Sequence, residues 1–282
     1  MHKYLVSTCM AIVLLTYSNF QYYRDSILFI YFLNIGQGDS VLIETPDHYL
    51  ILIDGGPDST VLTELAAVLP ASIKKIDMII DTHADSDHLA GLIDVIQRYD
   101  VGRILINGSQ KALQKKFLEK VDARGFPLGA VTRLSDFKFG CCIFIDFLWP
   151  EAGTVAGNEN DKSISFVLSY ADFAFYSGGD LSKEYEEKIL LKQEQDLDLY
   201  KAGHHGSRTS TSQKVLQKFK PELVVISAAY ENKFGHPHKE VVDMLGSEQI
   251  KYLRTDLQGR IKVSSDGESF WYTVEQGDAF RQ

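Results

Sequence analysis

Short runs of apolar residues recur from residue 26 onward, and most end at glycine or at polar residues. Short runs rich in β-branched residues favour buried strands. We therefore predict strands at 27–33, 40–45, 49–54, 76–80, 103–106, 143–148, 163–170, 173–176, 197–200 and 223–226, with another near Val131.

Segments with apolar residues three and four positions apart lie between several of these strands, which indicates helices. We predict helices over 60–69, from 89 to Tyr99, 110–124 and 182–191, and one on each side of the strand 223–226, with two or three short strands at the end. Strands that alternate with helices, mixed with hairpins, are typical of an α/β (α+β) fold whose sheets are covered by helices. Because no linker rich in proline, glycine or serine interrupts the pattern, we predict one domain over residues 26–282.

The first 25 residues differ from the rest of the chain, because Met-His-Lys is followed by an apolar run over residues 4–17. This run fits the core of a signal peptide better than a full membrane span of about 20 residues. We predict that residues 1–25 are a signal or a membrane anchor, with membrane association through residues 4–17 and the rest of the chain outside the cytoplasm. A packed N-terminal element in a cytoplasmic protein is the alternative.

Four potential metal ligands stand close together between the strand 76–80 and the helix that follows, namely His83, Asp85, Asp87 and His88. Residues two apart in an extended chain point the same way, so the first three can converge, with His88 on the first helical turn. A helix cap would explain Asp87 alone. The loop therefore predicts a metal site.

Further donors follow other strands, usually after small residues: Asp54, Asp180, the pair His204 and His205, and the pair His236 and His238. Each alone is explained as a turn residue beside glycine. The repeated order of strand, small residue and donor indicates that loops at strand ends build one site.

The charge of the chain bears on its partners, since a formal net charge of −9 argues against binding nucleic acid through the overall field. The helix 110–124 carries several lysines, and Arg208, Lys214 and Lys218 follow the histidine pair. They could contact phosphates locally, although a solvated helix face is the simpler interpretation.

The loop from His83 to His88 resembles the His-x-Asp-x-Asp-His form of the metal loop in the metallo-β-lactamase superfamily. Other motifs occur in the order found in the hydrolase domain of ComEC-type competence proteins: 32–40, 52–56, Asn160-x-x-Ser163, 178–180, 204–207 and 235–237. The resemblance covers about residues 27–275. It implies a four-layer αββα sandwich with the site along one edge of the two sheets.

The resemblance also implies two divalent metal ions, zinc or manganese. The expected ligands are His83 and Asp85 for one ion, Asp87, His88 and His204 for the other, and Asp180 as the bridge. His204 is preferred over His205 because it comes first after its strand. Because Asp85 stands where an imidazole is common, Mn²⁺ competes with Zn²⁺.

The remaining motif residues are expected to support the chemistry. The catalytic set is Asp87, His205 and His236, of which the two histidines could donate to a phosphate oxygen or to the leaving group. Asp54 would orient a metal ligand. The other residues expected around the metals or the substrate are Gln37, Asp39, Asn160, Ser163 and Ser207.

These features predict a phosphodiesterase or nuclease that uses a metal-bound hydroxide on a phosphate-containing substrate such as single-stranded DNA, without a stable protein partner. One alternative is a hydrolase of a small or cell-envelope phosphoester or an acyl ester. The other is a non-catalytic, metal-stabilised binding module, which the retention of the donor residues argues against.

Overall fold

The structure is a computed structural model that describes residues 26–131, 136–140, 142–151 and 157–276. The signal or anchor predicted for residues 1–25 lies outside the described residues. Within the described ranges, no helix has both the length and the apolar character needed to cross a membrane.

Seventeen strands are described: β1 Leu28–Phe32, β2 Val41–Glu44, β3 Leu50–Ile53, β4 Lys75–Ile76, β5 Met78–Asp81, β6 Asp100–Val101, β7 Ile104–Ile106, β8 Leu128–Ala130, β9 Phe137–Phe139, β10 Ile143–Trp149, β11 Ser165–Tyr170, β12 Phe173–Ser177, β13 Leu199–Lys201, β14 Leu223–Ile226, β15 Tyr252–Arg254, β16 Ile261–Ser265 and β17 Phe270–Val274. The described α-helices are α1 Thr60–Val68, α2 Ser86–Arg98, α3 Ala112–Arg124, α4 Lys183–Leu190, α5 Gln213–Phe219, α6 Lys239–Ser247 and α7 Thr255–Gln258. Two short 3-10 turns cover Asn160–Lys162 and Gly203–Gly206.

Two large sheets make up most of the fold, in the orders β17-β16-β1-β2-β3-β5-β7-β8 and β15-β14-β13-β12-β11-β10-β9. In the first, β1, β2 and β3 are antiparallel, whereas β3, β5, β7 and β8 are parallel. In the second, β12 to β15 are parallel neighbours. The parallel pairs arise where a helix returns the chain to the same end of the sheet.

Three apolar layers hold these elements together. The inner layer lies between the sheets and includes Phe32, Phe147, Phe166 and Phe175. The outer layers join α1, α2 and α3 to the first sheet, and α4, α5 and α6 to the second. The result is the predicted αββα arrangement, so the fold class is confirmed.

The predicted elements agree with the observed ones within a few residues, with three additions. The small sheet of β4 and β6, the strand β9 and the helix α7 are too short for their patterns to stand out. One domain over residues 26–282 stays a prediction. The donors follow β3, β5, β12 and β13, so the carboxyl ends of strands from both sheets meet at one edge.

Candidate metal centre

The loop after β5 is extended only as far as Asp85, which is the N-cap of α2. Asp87 and His88 both lie in the first turn of that helix, so alternation along an extended chain does not explain how Asp87 reaches the site. The helical turn brings it there. His83 and His88 are fully buried, and their ring centroids are 4.1 Å apart.

Asp180 is the carboxylate on which the histidines converge. Its backbone N–H donates to Ser163 Oγ at 3.1 Å, which anchors the turn after β12. Its Oδ1 lies 3.4 Å from His88 Nε2. Its Oδ2 lies 3.7 Å from His83 Nε2, 3.6 Å from His204 Nε2 and 3.7 Å from His205 Nε2.

Four buried polar atoms in this group have no hydrogen-bond partner within the described part of the chain: Nε2 of His83, His88 and His205, and Oδ1 of Asp180. Buried polar groups are nearly always satisfied, and each exception needs an explanation. A cation bound among them would satisfy all four. The residues therefore fit the metal centre that the sequence predicts.

The two remaining carboxylates of the loop border the same space and are partly exposed. Asp87 Oδ2 is 3.5 Å from His205 Nε2, and Asp85 Oδ2 is 3.9 Å from His83 Nε2. Asp85 also forms an ion pair with Lys111, which directly precedes α3. Asp87 thus faces His205, whereas Asp85 lies beside His83 and Lys111.

Asp54 fixes the orientation of the loop from beneath. It has a left-handed backbone with φ 57°, which is uncommon for a residue other than glycine. Its Oδ1 accepts the N–H of Thr82 at 2.8 Å. Its Oδ2 accepts from Thr82 Oγ1 at 2.7 Å and from His88 Nδ1 at 2.8 Å. Asp54 therefore leaves His88 Nε2 facing Asp180.

Three of the histidines carry their proton on Nδ1. His88 donates from Nδ1 to Asp54, and His205 donates from Nδ1 to the Ser227 carbonyl at 3.2 Å. The Thr82 hydroxyl donates its proton to Asp54, so the Thr82 oxygen is the acceptor in its contact with His83 Nδ1, at 3.1 Å. In the neutral form of all three rings Nε2 keeps a lone pair for a metal.

Two other histidines have the opposite arrangement. His204 Nδ1 accepts from the Asn160 amide at 3.3 Å, and His236 Nδ1 accepts from the Gln37 amide at 3.4 Å. The Gln37 amide is oriented by its own oxygen, which accepts the N–H of Ala229 at 3.3 Å. In the neutral rings of His204 and His236 the proton therefore stays on Nε2.

His204 and His205 both lie on the strained 3-10 turn, with φ of 50° and 55°. Because both residues have a left-handed backbone, their rings point in different directions. Which of the two rings faces the metal site therefore depends on the folded backbone and is not evident from the order of the residues in the sequence. His205 is 1% exposed, whereas the His204 side chain is 28% exposed. Such strained backbones persist where the surrounding structure holds them, often at functional sites.

Lys201 is a component of the site that the sequence analysis did not single out. It ends β13, and its side chain is 2% exposed and forms an ion pair with Asp39. Asp39 in turn lies 3.4 Å from His205 Nδ1 and 3.8 Å from His88 Nδ1. The sequence signal that could have identified Lys201 is its position as a single lysine at the end of an apolar strand.

Asp39, His88, Asp180 and His205 each offer a ligand atom within 4.8 Å of the others. Asp39, however, faces the Nδ1 side of both rings, whereas Asp180 faces their Nε2 side. One ion bound to Nε2 cannot also reach Asp39. We therefore assign Asp39 to the support of His205.

The electrostatics of the cluster follow from this geometry. Burial opposes charge on His205, but the carboxylates of Asp180 and Asp39 outweigh burial and raise its pKa to about 9. For His88, burial is likewise outweighed by Asp180 and Asp54, so its pKa is well above its ordinary value. The neighbouring histidines hold the pKa of Asp180 well below its usual range despite burial.

The two rings that keep their proton on Nε2 are neutral at neutral pH. Burial and the neighbouring His205 lower the pKa of His236 to about 4. Burial also lowers the pKa of His204, although Asp180 opposes this. Both can therefore act as neutral hydrogen-bond donors.

The remaining predicted residues lie around this centre. Ser207 is buried and its hydroxyl pairs with Thr209 Oγ1 at 3.0 Å, so it supports the turn. His238 is the N-cap of α6, and its Nδ1 accepts the N–H of Arg208 at 3.1 Å. An open cleft of about 540 Å³ leads to the centre, lined by residues 84–87, 111–113, Asp180, His204 and Phe234.

The chain matches the metallo-beta-lactamase superfamily over residues 33–229 and belongs to that family. It is 30% identical over 255 residues to ComE operon protein 3 of Bacillus subtilis (strain 168), covering 82% of this chain and 32% of that protein. It is 31% identical over 230 residues to competence protein ComA of Neisseria gonorrhoeae, covering 80% of this chain and 31% of that protein. The chain thus spans about a third of the length of these relatives.

Solved structures with the same fold are more distant in sequence. A diphosphatase from the PhnP family superposes with a TM-score of 0.52 at 16% identity, covering 85% of this chain and 98% of that one. Zn²⁺-bound PqqB from Methylobacterium extorquens superposes with a TM-score of 0.52 at 10% identity, covering 77% and 85%. The family and the candidate metal cluster define this chain as a hydrolase of the metallo-beta-lactamase superfamily. Its sequence is of the ComEC type.

Proposed function

We propose that this chain is a metal-dependent phosphodiesterase whose two divalent ions, zinc or manganese, share Asp180. The observation that carries the proposal is the set of unsatisfied Nε2 atoms of His83, His88 and His205 around the unsatisfied Oδ1 of Asp180. Carboxylates supply the other donors, which suits oxygen-preferring cations.

One ion would be held by Asp87, His88 and His205, and the other by His83 and Asp85, with Asp180 common to both. His205 replaces His204 in this assignment because His205 has its lone pair on Nε2 and lies beside Asp87. Two such ions would supply an activated water at neutral pH and would stabilise the oxygens of a phosphate ester.

The roles of the protein groups follow from the protons that they hold. His204 carries its Nε2 proton at the cleft, where it can donate a hydrogen bond to the oxygen that leaves the phosphorus. His236 keeps a proton on Nε2 as well and can donate to a phosphate oxygen. Asp54 and Asn160 hold His88 and His204 in these tautomers.

The relatives named above are competence proteins, which makes single-stranded DNA a reasonable substrate to test first. The experiment measures turnover of bis(p-nitrophenyl) phosphate, p-nitrophenyl phosphate, p-nitrophenyl acetate and a DNA oligonucleotide with added Mn²⁺ or Zn²⁺. We expect hydrolysis of the diester and of the oligonucleotide, and loss of both activities in Asp87→Asn.

Two results would redirect the proposal. Hydrolysis of the acetate or the phosphomonoester without the diester would support the small-substrate alternative. Absence of turnover with every substrate, although metal is bound, would support the binding module. Asp243→Asn is a matched control, because Asp243 lies on α6 with an exposed ion pair to Lys239.

A further inference from the structure

An exposed aromatic ring stands at the mouth of the cleft that leads to the metal centre. Phe234 is 49% exposed, and it lines the same cleft as Asp85, Asp87 and His204. Single exposed apolar residues are common and carry no information by themselves. This ring differs because it shares a cavity with the proposed reacting groups.

The loop that carries Phe234 is ordered by one side chain. The Asn232 oxygen accepts the N–H of Phe234 at 3.1 Å and that of His236 at 3.0 Å. Its amide nitrogen donates to the Ala229 carbonyl at 2.9 Å and to the carbonyl of His236. A ring held in place before binding loses little entropy when a ligand stacks on it.

The surroundings of the ring suit a planar, anionic ligand. The rings of Phe234 and His236 are stacked, with centroids 5.7 Å apart and an angle of 21°. The ammonium of Lys233, an exposed residue, lies 4.9 Å from the Phe234 centroid. A base on this ring would displace that ammonium, which could then pair with a backbone phosphate.

The same cleft is lined by Lys111 and Leu113 at the start of α3. The cleft therefore has few apolar lining residues, and because carboxylates also line it, it offers no deep tunnel for an aliphatic chain. The net charge of −9 also provides no general attraction for a polyanion. A nucleic-acid substrate would therefore depend on local contacts such as base stacking.

We infer that Phe234 is the stacking surface for a nucleobase of a single-stranded nucleic acid whose phosphodiester lies at the metal centre. This inference rests on the proposed function, because it requires a phosphodiester as the substrate. Phe234 is thus a specificity-determining residue, and Lys111 and Lys233 are phosphate contacts on either side.

The test compares a short oligothymidylate with a phosphodiester chain of the same length whose sugars carry no bases. Both have the same charge and the same scissile bond. We expect the wild-type protein to have a higher kcat/KM on the oligothymidylate. Phe234→Ala should reduce the ratio of the two kcat/KM values by about 5- to 150-fold, which corresponds to one stacked base.

Two further variants separate stacking from other effects. Phe234→Tyr should restore the ratio, whereas Phe234→Leu, which keeps apolar bulk, should not. Tyr230→Ala is the matched control, because Tyr230 is an exposed aromatic residue in the same loop that does not line the cleft. It should leave the ratio at the wild-type value. Fluorescence anisotropy of labelled oligothymidylate in EDTA should show the same order of affinities without turnover.

The failures of the two proposals are distinguishable. If bis(p-nitrophenyl) phosphate and both chains resist hydrolysis, the proposed function itself is wrong. If the diesters are hydrolysed but the ratio is the same in wild type and Phe234→Ala, the stacking surface is wrong and the phosphodiesterase stands. Hydrolysis of the simple diester without the oligothymidylate also overturns the stacking surface.

Discussion

Lys201 forms a buried ion pair with Asp39 directly behind His205, and both side chains are 2% exposed. Burial of an ion pair is costly unless both partners are present, so removing one leaves an uncompensated charge. Asp39 also accepts the N–H of Gly56 through its carbonyl, at 2.9 Å, and donates its own N–H to the Asp87 carbonyl at 3.1 Å. The pair therefore connects β13 to the loop after β3 and to the first turn of α2.

Lys201→Met should destabilise the metal-free protein by about 3–5 kcal/mol, because it leaves Asp39 buried and unpaired. It should also weaken Mn²⁺ binding, since the Asp39 carboxylate beside His205 loses its buried counter-charge. Asp39→Asn combined with Lys201→Met should recover most of the lost stability. Urea unfolding and calorimetric titration measure both effects. A single variant as stable as the wild type would show that the pair is not needed.

Exchanging the two adjacent histidines for alanine one at a time should give different results. His205→Ala should lower metal affinity, because its Nε2 lone pair faces Asp87 and Asp180. His204→Ala should keep the metal content of the wild type and slow hydrolysis by about 10²–10³-fold, because the leaving oxygen loses a hydrogen-bond donor. The loss should be larger for an alkoxide leaving group than for p-nitrophenolate, whose delocalised negative charge needs less stabilisation by a hydrogen bond. Equal losses of metal in both variants would contradict the tautomer assignment.

Gly91 is required where α2 contacts the loop after β3. A Cβ at this position would lie 1.9 Å from the Gly55 carbonyl oxygen and 2.6 Å from that of Asp58. Gly91→Ala should therefore destabilise the fold by about 3 kcal/mol or more, because two backbones must separate. It should also displace His88, whose carbonyl accepts the N–H of Gly55 at 2.7 Å.

Gly246→Ala is the control for that substitution. Gly246 lies in α6, and an added Cβ meets nothing within 4 Å. Alanine should therefore be neutral or stabilise by about 0.5–1 kcal/mol. Urea unfolding of both variants measures the difference, and equal stabilities would contradict the close approach of α2.

The sequence predicts most strands and helices because each sheet has a buried inner face and a covering layer of helices. Strands such as β3 and β5, apolar along nearly their whole length, are buried on both faces, and their runs stand out. The short strands β4 and β6 lack such a run. The gathering of Asp54, Asp180 and the histidines was also predictable, because each follows a strand.

The assignment of roles within the site was not predictable from sequence. Whether His204 or His205 has a free Nε2 depends on Asn160 and on the Ser227 carbonyl, which are distant in the chain. The contact between Lys201 and Asp39 likewise forms only when the two sheets pack together. Local patterns contain no information on such long-range pairs.

Glu186 predicts a pH dependence of stability that is independent of the metals. It is fully buried, it accepts from Tyr200, and its Oε2 accepts the N–H of Ser212 at 2.6 Å. Burial raises its pKa from 4.5 to about 7. Between pH 4.5 and about 7, the folded state therefore holds a proton that the unfolded state has lost. The stability that the protonated Glu186 contributes is present below pH 4.5 and is lost as the pH rises to about 7.

Urea unfolding in EDTA at a series of pH values should show that the free energy of unfolding changes with pH in a way that depends on Glu186. From about pH 5 to 8, the wild type should lose about 3 kcal/mol relative to Glu186→Gln. Glu187→Gln is the control, because hydrogen bonds from Lys214 and Ser212 lower the pKa of Glu187. Its slope over this range should equal that of the wild type. Parallel curves for Glu186→Gln and wild type would contradict the buried titration.

Metal content per chain in Asp180→Asn is the most direct test of the central claim that one carboxylate serves both ions. Asn keeps the shape but removes the charge that offsets the repulsion between two nearby cations. We expect two ions in the wild type and in Asp243→Asn, and at most one weakly held ion in Asp180→Asn, measured by elemental analysis after dialysis. Retention of two ions by Asp180→Asn with normal turnover would contradict the account.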